Sequence, residues 1–370
     1  MNNKAMGVIF SNINEKQIGT LTAGRTLASV PFGGRYRLID FNLSNMANSG
    51  IYNVGVITRS NYQSLMQHVG SGKSWDLSRK IGGLRILPPS IDKVYNTRWE
   101  ALKYSVSFIK NSDERYVVLA DGDCVCNFDF SKALAFHEDR MSDITVIYRK
   151  KDLGDGNEKN KICFTIDDDG LVTDAAKSDK FKGEQNVGTY MYIMGREFLC
   201  SLLDNSEELN IWNLDRDVIC RGVRDYRIYG YEHTGYFASI DSVANYYHHS
   251  MELLDRNKCA MLFDNDGANI YTKVRDSAPC RFAASSSVKN SIIADGCVIK
   301  GRVENSILFR GVKVAEDAVV KNSILFQDTE VGEGTFLNCV ITDKNAHILE
   351  SRMLSGHPTN PYVIGKNSVI

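Results

Sequence analysis

The sequence has no apolar run near the ~20 residues that a membrane-crossing helix requires, and its opening, MNNKAMGVIFSN, is too short in apolar residues for a secretory signal. It has no basic block and no acidic tail. Forty-four Lys and Arg stand against 45 Asp and Glu over 370 residues, a net charge of −1. Nucleic acid and membrane surfaces are therefore not the expected partners. The nine cysteines show no zinc-ligand spacing, and the nearest pair, Cys124 and Cys126, is expected on opposite faces of a strand. Reduced thiols and a cytoplasmic location follow as expectations. A further absence concerns the first segment itself. Met6-Gly7-Val8-Ile9-Phe10 reads as the first strand of a nucleotide-binding sheet, after which a phosphate-cradling turn needs clustered glycines so that bare backbone can approach the anion. The chain continues instead with Ser11-Asn12-Ile13-Asn14-Glu15-Lys16, and from Ser11 to Gly19 there is neither a glycine pair nor an arginine.

What is present divides in two, as expected when a chain exceeds the size at which one hydrophobic core stops growing. Through about residue 260, apolar β-rich runs (Met6–Phe10, Val54–Thr58, Tyr116–Ala120, Ile144–Arg149) alternate with helical stretches (Phe41–Ser49, Tyr62–Val69, Trp99–Lys110, Ser131–Arg140). Trp212–Val223 and Asp241–Asp255 read as further helices. Such alternation predicts a Rossmann-like α/β domain with a mainly parallel mixed sheet, and ligands beyond the carboxyl ends of its strands. The opening loop and ADGDCVC, Ala120–Cys126, should lie there together.

The last hundred residues repeat. VKNSII at Val288, VENSIL at Val303, VKNSIL at Val320 and FLNCVI at Phe336 start 15, 17 and 16 residues apart, with ADGCVI, AEDAVV and GEGTFL interleaved. Short apolar strands between Gly, Asp and Asn turns at this period predict a parallel β-solenoid, since sandwich strands need not repeat their sequence. The expected division is an α/β domain at 1–260, a linker at 261–282 and a β-helix at 283–370.

An α/β domain followed by a hexapeptide-type left-handed β-helix is similar to the sugar-nucleotide pyrophosphorylases. VPFGGRYRLIDFNLSNMANSGI, Val30–Ile51, and WDLSRKIGGLRILPPS, Trp75–Ser90, resemble two landmarks of the glucose-1-phosphate adenylyltransferase (ADP-glucose pyrophosphorylase) family. The resemblance implies a reaction joining ATP to glucose 1-phosphate, with Mg²⁺ held by carboxylates. It also shows where the chain departs. The family's phosphate loop and its arginine have no counterpart in Ser11–Gly19, and Leu27 stands where the family has a lysine. Asp123 of Gly122-Asp123 matches a metal aspartate, but GYFASIDS, Gly235–Ser242, puts Phe237 and Ser239 at the Trp and Asp of the family's second metal motif. Asp241, two residues on, is the conceivable replacement. Thr97-Arg98-Trp99 replaces a Gly-Thr-Ala, so the indole of Trp99 is expected to fill space that adenosine needs. Lys177, in Ala176-Lys177-Ser178, is retained as a possible sugar-phosphate contact or a solvated lysine, and Cys124 replaces a histidine, as a small buried filler.

Taken together, the pattern resembles the GlgD-type, non-catalytic subunit of two-subunit bacterial enzymes. That resemblance implies no catalytic residues and no cofactor in this chain, Mg²⁺ only in a catalytic partner subunit, and a heterotetramer formed with that partner. It also implies an effector site, for a phosphorylated metabolite, at Arg25, Arg35 and Arg37, although the effector lysine of some members aligns with Gly24; pairing of these arginines with carboxylates such as Asp40 is the alternative. Two other functions stay open at this point: a weakly active or re-specialised sugar-phosphate nucleotidyltransferase, and a metabolite-sensing module.

Overall fold

Every residue of the first strand, Ala5–Phe10 (β1), is buried, because it lies at the centre of a sheet covered on both faces. The computed structural model describes residues 4–12, 18–89, 95–154, 161–177, 181–265 and 267–370. Residues 13–17 of the opening loop, and Ser178, lie outside the described residues. The sheet comprises β1, β2 (Asn53–Ile57), β3 (Gly83–Leu87), β4 (Tyr116–Asp121), β6 (Ile144–Asp152), β7 (Ile162–Ile166), β8 (Val172–Lys177), β9 (Glu184–Gly195) and β10 (Ile228–Glu232), with β5 (Cys124–Cys126) and β11 (Phe237–Ser239) forming a separate ribbon. The order is β8-β7-β9-β4-β1-β2-β3, with β6 on β9 and β10 on β6. Strands β4, β1, β2 and β3 run parallel, whereas β9 is antiparallel to β4, β6 and β7.

The helices are α1 (Leu38–Asn48), α2 (Gln63–Val69), α3 (Arg98–Tyr104), α4 (Val106–Lys110), α5 (Phe130–Asp139), α6 (Arg196–Asp204), α7 (Val243–Glu252) and α8 (Arg256–Phe263). Ile39, Leu43 and Met46 of α1 cover one sheet face with Ile9, Val54, Val56 and Val118; Leu102, Ile109, Leu199 and Leu203 cover the other with Met6, Val8 and Leu119. The stretch expected as one helix over Trp99–Lys110 breaks at Ser105 (φ −103°, ψ 9°). The break turns Phe108 and Ile109 into the core and leaves Tyr104 exposed. Trp212–Val223 becomes a π-helix, Leu214–Cys220, followed by a single 3₁₀ turn. The expected opposition of Cys124 and Cys126 is also corrected. Residues two apart on a strand share a face, and both thiols pack in the α1 layer while Val125 faces the other way.

From Arg281 onward the chain forms three parallel sheets of five short strands each, the left-handed β-helix. Val288, Val303, Val320, Leu337 and Leu354 stack in one column, so the repeat after Val303 is 17 residues, and Leu337, not Phe336, is the equivalent position. Matching by Asn causes the slip. Asn290, Asn305 and Asn322 occupy left-handed corners (φ 44°, 43° and 47°), but in the next coil Cys339 takes that corner (φ 52°) and Asn338 instead accepts from Asn322 Nδ2 at 2.9 Å.

The two parts share a core. Ile18, Leu21, Leu27, Phe32 and Phe41 pack with Ile307, Phe309, Ile324, Phe326 and Ile341 of the solenoid. Tyr246 Oη donates to Pro31 O (2.7 Å) and Tyr247 Oη to Asn322 O (2.6 Å), which anchors α7 between them. The connector is tied down by Asn127 Nδ2 to Ala268 O (2.7 Å) and Tyr271 N to Ser44 Oγ (2.8 Å). Among the described residues no helix is long and apolar enough to cross a membrane.

Candidate functional site

The carboxyl ends of β1 and β4 lie side by side, with Phe10 opposite Asp121 in register. Gly122 then turns the chain sharply: a Cβ there would come within 2.9 Å of both the Ala28 Cβ and Phe10 O. Asp121, Asp123, Arg98 and Ser239 gather around this turn, Arg98 links it to Asp215, and Lys177 and Lys161 join through Asp215 and Asp241; sequence reasoning missed Asp215 and Lys161.

Arg98 opens α3, whose cap is the Thr97 hydroxyl accepting from Glu100 N at 3.2 Å. Its guanidinium reaches across the cleft. Nε donates to Asp121 Oδ1 (2.8 Å), Nη2 to Asp121 Oδ2, and Nη1 to Asp215 Oδ2 (2.8 Å). The cation also lies 4.5 Å over the Tyr190 ring, and Tyr192 Oη donates to Asp215 Oδ1 at 3.3 Å. Two irregular elements build this arrangement. A bulge in β9 between Gly188 and Tyr192 puts Tyr190 at φ 58°, and the π-helix carries Asp215. Burial works against the Arg98 charge, but Asp121 and Asp215 outweigh it and hold the guanidinium well above its ordinary pKa; burial raises that of Asp121 despite Arg98. Lys177 Nζ stands 3.8 Å from Asp215 Oδ2 on a 39% exposed side chain, at the edge of the same network.

The two positions implied to hold metal are brought together. Ser239 pairs with Cys124 in the β5–β11 ribbon, and Ile240 N donates to Asp123 O at 3.0 Å. Ser239 brings a hydroxyl there, and Asp241 does not substitute for it. One Asp241 oxygen accepts from Lys161 Nζ at 3.0 Å and the other from Asn245 Nδ2. Asp121, Asp215 and Asp241 are thus each committed to a cationic side chain, which leaves Asp123 as the carboxylate facing the strand that carries the Ser239 hydroxyl. Leu27, only 2% exposed, is a core residue. Trp99 is likewise buried in the domain core, beside Tyr95 and Leu102. Burial, with Asp123 and Asp121 close by, pushes the Cys124 thiol well above its ordinary pKa, and it donates to Thr189 O at 3.5 Å.

A second site lies where the α/β domain, the connector and the solenoid meet. Its wall carries Arg35, Arg37, Lys273, Arg275, Arg310 and Lys344, with no carboxylate among the lining residues. Asp40, the partner considered for these arginines, is taken at 2.5 Å by His68 Nε2 and at 3.0 Å by the Arg37 backbone N–H. The Arg37 guanidinium therefore bonds Ser64 O (2.8 Å) and Oγ (3.0 Å), and burial first, then Arg25 and Arg275, lower its pKa to about 10 against the pull of Asp40. Arg35 is exposed over Tyr36. Arg25 does not line the pocket: its Nη2 is held by Asp343 at 2.7 and 2.8 Å, a buried tie between the two domains.

Comparison with known proteins matches two family models to separate parts of the chain. A nucleotidyl transferase family model matches residues 16–158, and a GlmU-like C-terminal hexapeptide model matches 278–358. The chain is 36% identical, over all of its length and 97% of the relative, to the "Glycogen biosynthesis protein GlgD" of Bacillus subtilis. It is 37% identical to the protein of the same name from Geobacillus stearothermophilus, over 86% of this chain and 84% of that one. It is 31% identical to the "Glucose-1-phosphate adenylyltransferase" of Clostridium acetobutylicum, over 85% and 84% respectively.

Proposed function

The chain belongs to the glucose-1-phosphate adenylyltransferase family, and from that premise we propose that it is a non-catalytic regulatory subunit of a bacterial ADP-glucose pyrophosphorylase in glycogen biosynthesis. It assembles in the cytoplasm with a catalytic subunit, as a heterotetramer, and modulates the synthesis of ADP-glucose from ATP and glucose 1-phosphate. Mg²⁺ belongs to the partner, and this chain uses no cofactor of its own.

One observation carries the reading: the cleft's cations and carboxylates neutralise each other. Arg98 bridges Asp121 and Asp215, and Lys161 holds Asp241. A triphosphate entering this cleft finds its countercharges already spent, and a metal finds Ser239 where a second carboxylate would have to be. By contrast, the junction pocket gathers cations without carboxylates, which supports binding of a phosphorylated effector there, with Arg35 and Arg37 in its wall and Arg25 fixing the domains behind it. Modulation then requires only that assembly, or the effector, favour the partner's active conformation by ~1–3 kcal/mol.

The test is direct. The purified chain with Mg²⁺-ATP and glucose 1-phosphate should make no ADP-glucose above background, while co-expression with the catalytic subunit should give a hetero-oligomer whose kcat or effector response differs from that of the catalytic subunit alone. A kcat for the lone chain in the range of ordinary enzymes rejects the proposal.

A further inference from the structure

In the junction pocket, most of the cations have found a polar partner. Lys273 Nζ donates to Gln67 O at 2.7 Å, Arg275 Nη1 to Gln327 Oε1 at 3.4 Å and Arg37 to Ser64; Arg310 Nε makes an ion pair with Asp295 Oδ2 at 3.6 Å, beyond hydrogen-bond distance, and Arg35 lies exposed over the Tyr36 ring. Lys344 differs. Among the described residues its ammonium has no ion pair, although its side chain is half-buried. The adjacent carboxylate is Asp343, and both of its oxygens bind Arg25, while Oδ1 also accepts the Lys344 backbone N–H at 2.7 Å.

The groups around Lys344 come from three parts of the chain. The α/β domain contributes Arg25 and Arg37, with Arg35 and the His68–Asp40 pair farther along the wall. The connector contributes Lys273 and Arg275, and the solenoid Arg310, Gln327 and Asp343. From the coil below, Asn367 N donates to Lys344 O at 3.0 Å. The local balance is strongly positive, and arginine does not release a proton at any physiological pH. Lysine does, when burial and like charges penalise its ammonium.

We infer that the junction pocket binds its anion together with one proton, which Lys344 takes up. The inference rests on reading the pocket as an anion site. In the free protein burial, followed by the charges of Arg37, Arg25 and Arg275, lowers Lys344 to about 7, with Asp343 opposing. An arriving dianion supplies the missing countercharge and moves Lys344 back toward the ordinary lysine range. Its pKa is thus higher in the bound state than in the free state. By linkage the contribution of Lys344 to binding is complete below the free value, and is lost progressively as the pH rises through the interval between the two. An effector of this site would act more strongly on the same chain at pH 6.5 than at pH 8.5.

Inorganic sulfate is the probe, because it does not titrate in this range. Calorimetry of sulfate binding to the full-length chain at pH 8, in two buffers of different ionisation enthalpy, should show uptake of close to one proton per anion, with Kd rising about tenfold per pH unit above 7. In Lys344→Arg, uptake should vanish and the pH profile flatten while binding at pH 7 persists. His68 is the competing titrating group, and His68→Gln should retain the uptake. Binding without proton uptake, uptake that survives Lys344→Arg, or uptake lost in His68→Gln overturns the inference and leaves the pocket as an anion site. Absence of saturable sulfate binding at any pH, in a chain whose circular dichroism and melting are intact, overturns the reading of the pocket itself.

Discussion

Replacing Arg98 with methionine keeps much of the volume of the side chain and removes the charge that Asp121 and Asp215 share. Both carboxylates are buried, Asp121 at 1% and Asp215 at 4% exposure, so neither can recover its lost partner from solvent. Breaking a buried pair by deleting one partner costs about 3–5 kcal/mol, because the remaining charge is left uncompensated. Lys177, 3.8 Å from Asp215, offsets part of this for one carboxylate, so the expected loss is ~3 kcal/mol, near the low end of that range. The deficit should depend on pH in a defined direction. Without Arg98, the carboxyl of Asp121, already raised by burial, rises further, and a group raised in the folded state stabilises below its unfolded pKa and loses that contribution as pH climbs through its folded value. The gap between wild type and R98M should therefore be widest at pH 8 and narrow toward pH 5. Denaturant unfolding followed by tryptophan fluorescence and circular dichroism measures it, and R98M/D121N/D215N should regain most of the loss. A deficit below about 1 kcal/mol at pH 7.5, or one that grows on acidification, refutes the view that this triad is a buried, mutually neutralised lock.

Ser239→Asp alone should give no Mg²⁺-dependent ADP-glucose synthesis, since Asp121, Asp215 and Asp241 remain bound to cations; turnover by the single variant would show that these ion pairs yield to substrate. His137 bonds Thr145 Oγ1 at 2.8 Å, and burial, against Asp143 and Glu138, lowers its pKa from 6.5 to about 4. The unfolded chain therefore binds its proton first, and stability should fall by ~3 kcal/mol as pH drops from 6.5 to 4, a slope that H137N should lack; equal slopes refute it. The 1–282 fragment removes Ile307, Phe309, Ile324, Phe326 and Ile341 from the shared core, so at ~1.5–3 kcal/mol per buried side chain it should expose apolar surface, bind a hydrophobic dye and fail to join the catalytic subunit; a monodisperse fragment that still assembles would refute it.

The sheet and the solenoid were legible because their signals are regular: β1 is an apolar run, β4 is one up to Asp121, and the solenoid columns repeat at every coil. The errors fall where one local feature outweighed its surroundings. Asn338 imitates the corner asparagines, yet the corner belongs to Cys339, because the stacking of Leu337 on Val320 sets the register. In the cleft, Ser239 and Asp123 could be read residue by residue, whereas Asp215 could not. It lies 117 residues from Arg98, on a π-helix whose sequence looks like an ordinary helix. A signal did exist in Asp121-Gly122-Asp123, where an extra carboxylate next to the expected one asks for a cation; Arg98, read only as a substitution, is that cation. The carboxylate that Arg25 pairs with, Asp343, was out of reach for a similar reason, since nothing near Arg25 in sequence points to it.

The core shared between Ile18–Phe41 and the inner side of the solenoid constrains how this chain can be recombined. A hybrid that grafts the β-helix of a relative onto this α/β domain would set foreign side chains against Leu21, Phe32 and Phe41 and would separate Arg25 from Asp343. Chimaeras should therefore tolerate a junction in the connector only when the segment from Ile18 to Phe41 travels with the solenoid, so that the two halves are inherited as one packing unit despite matching two separate family models.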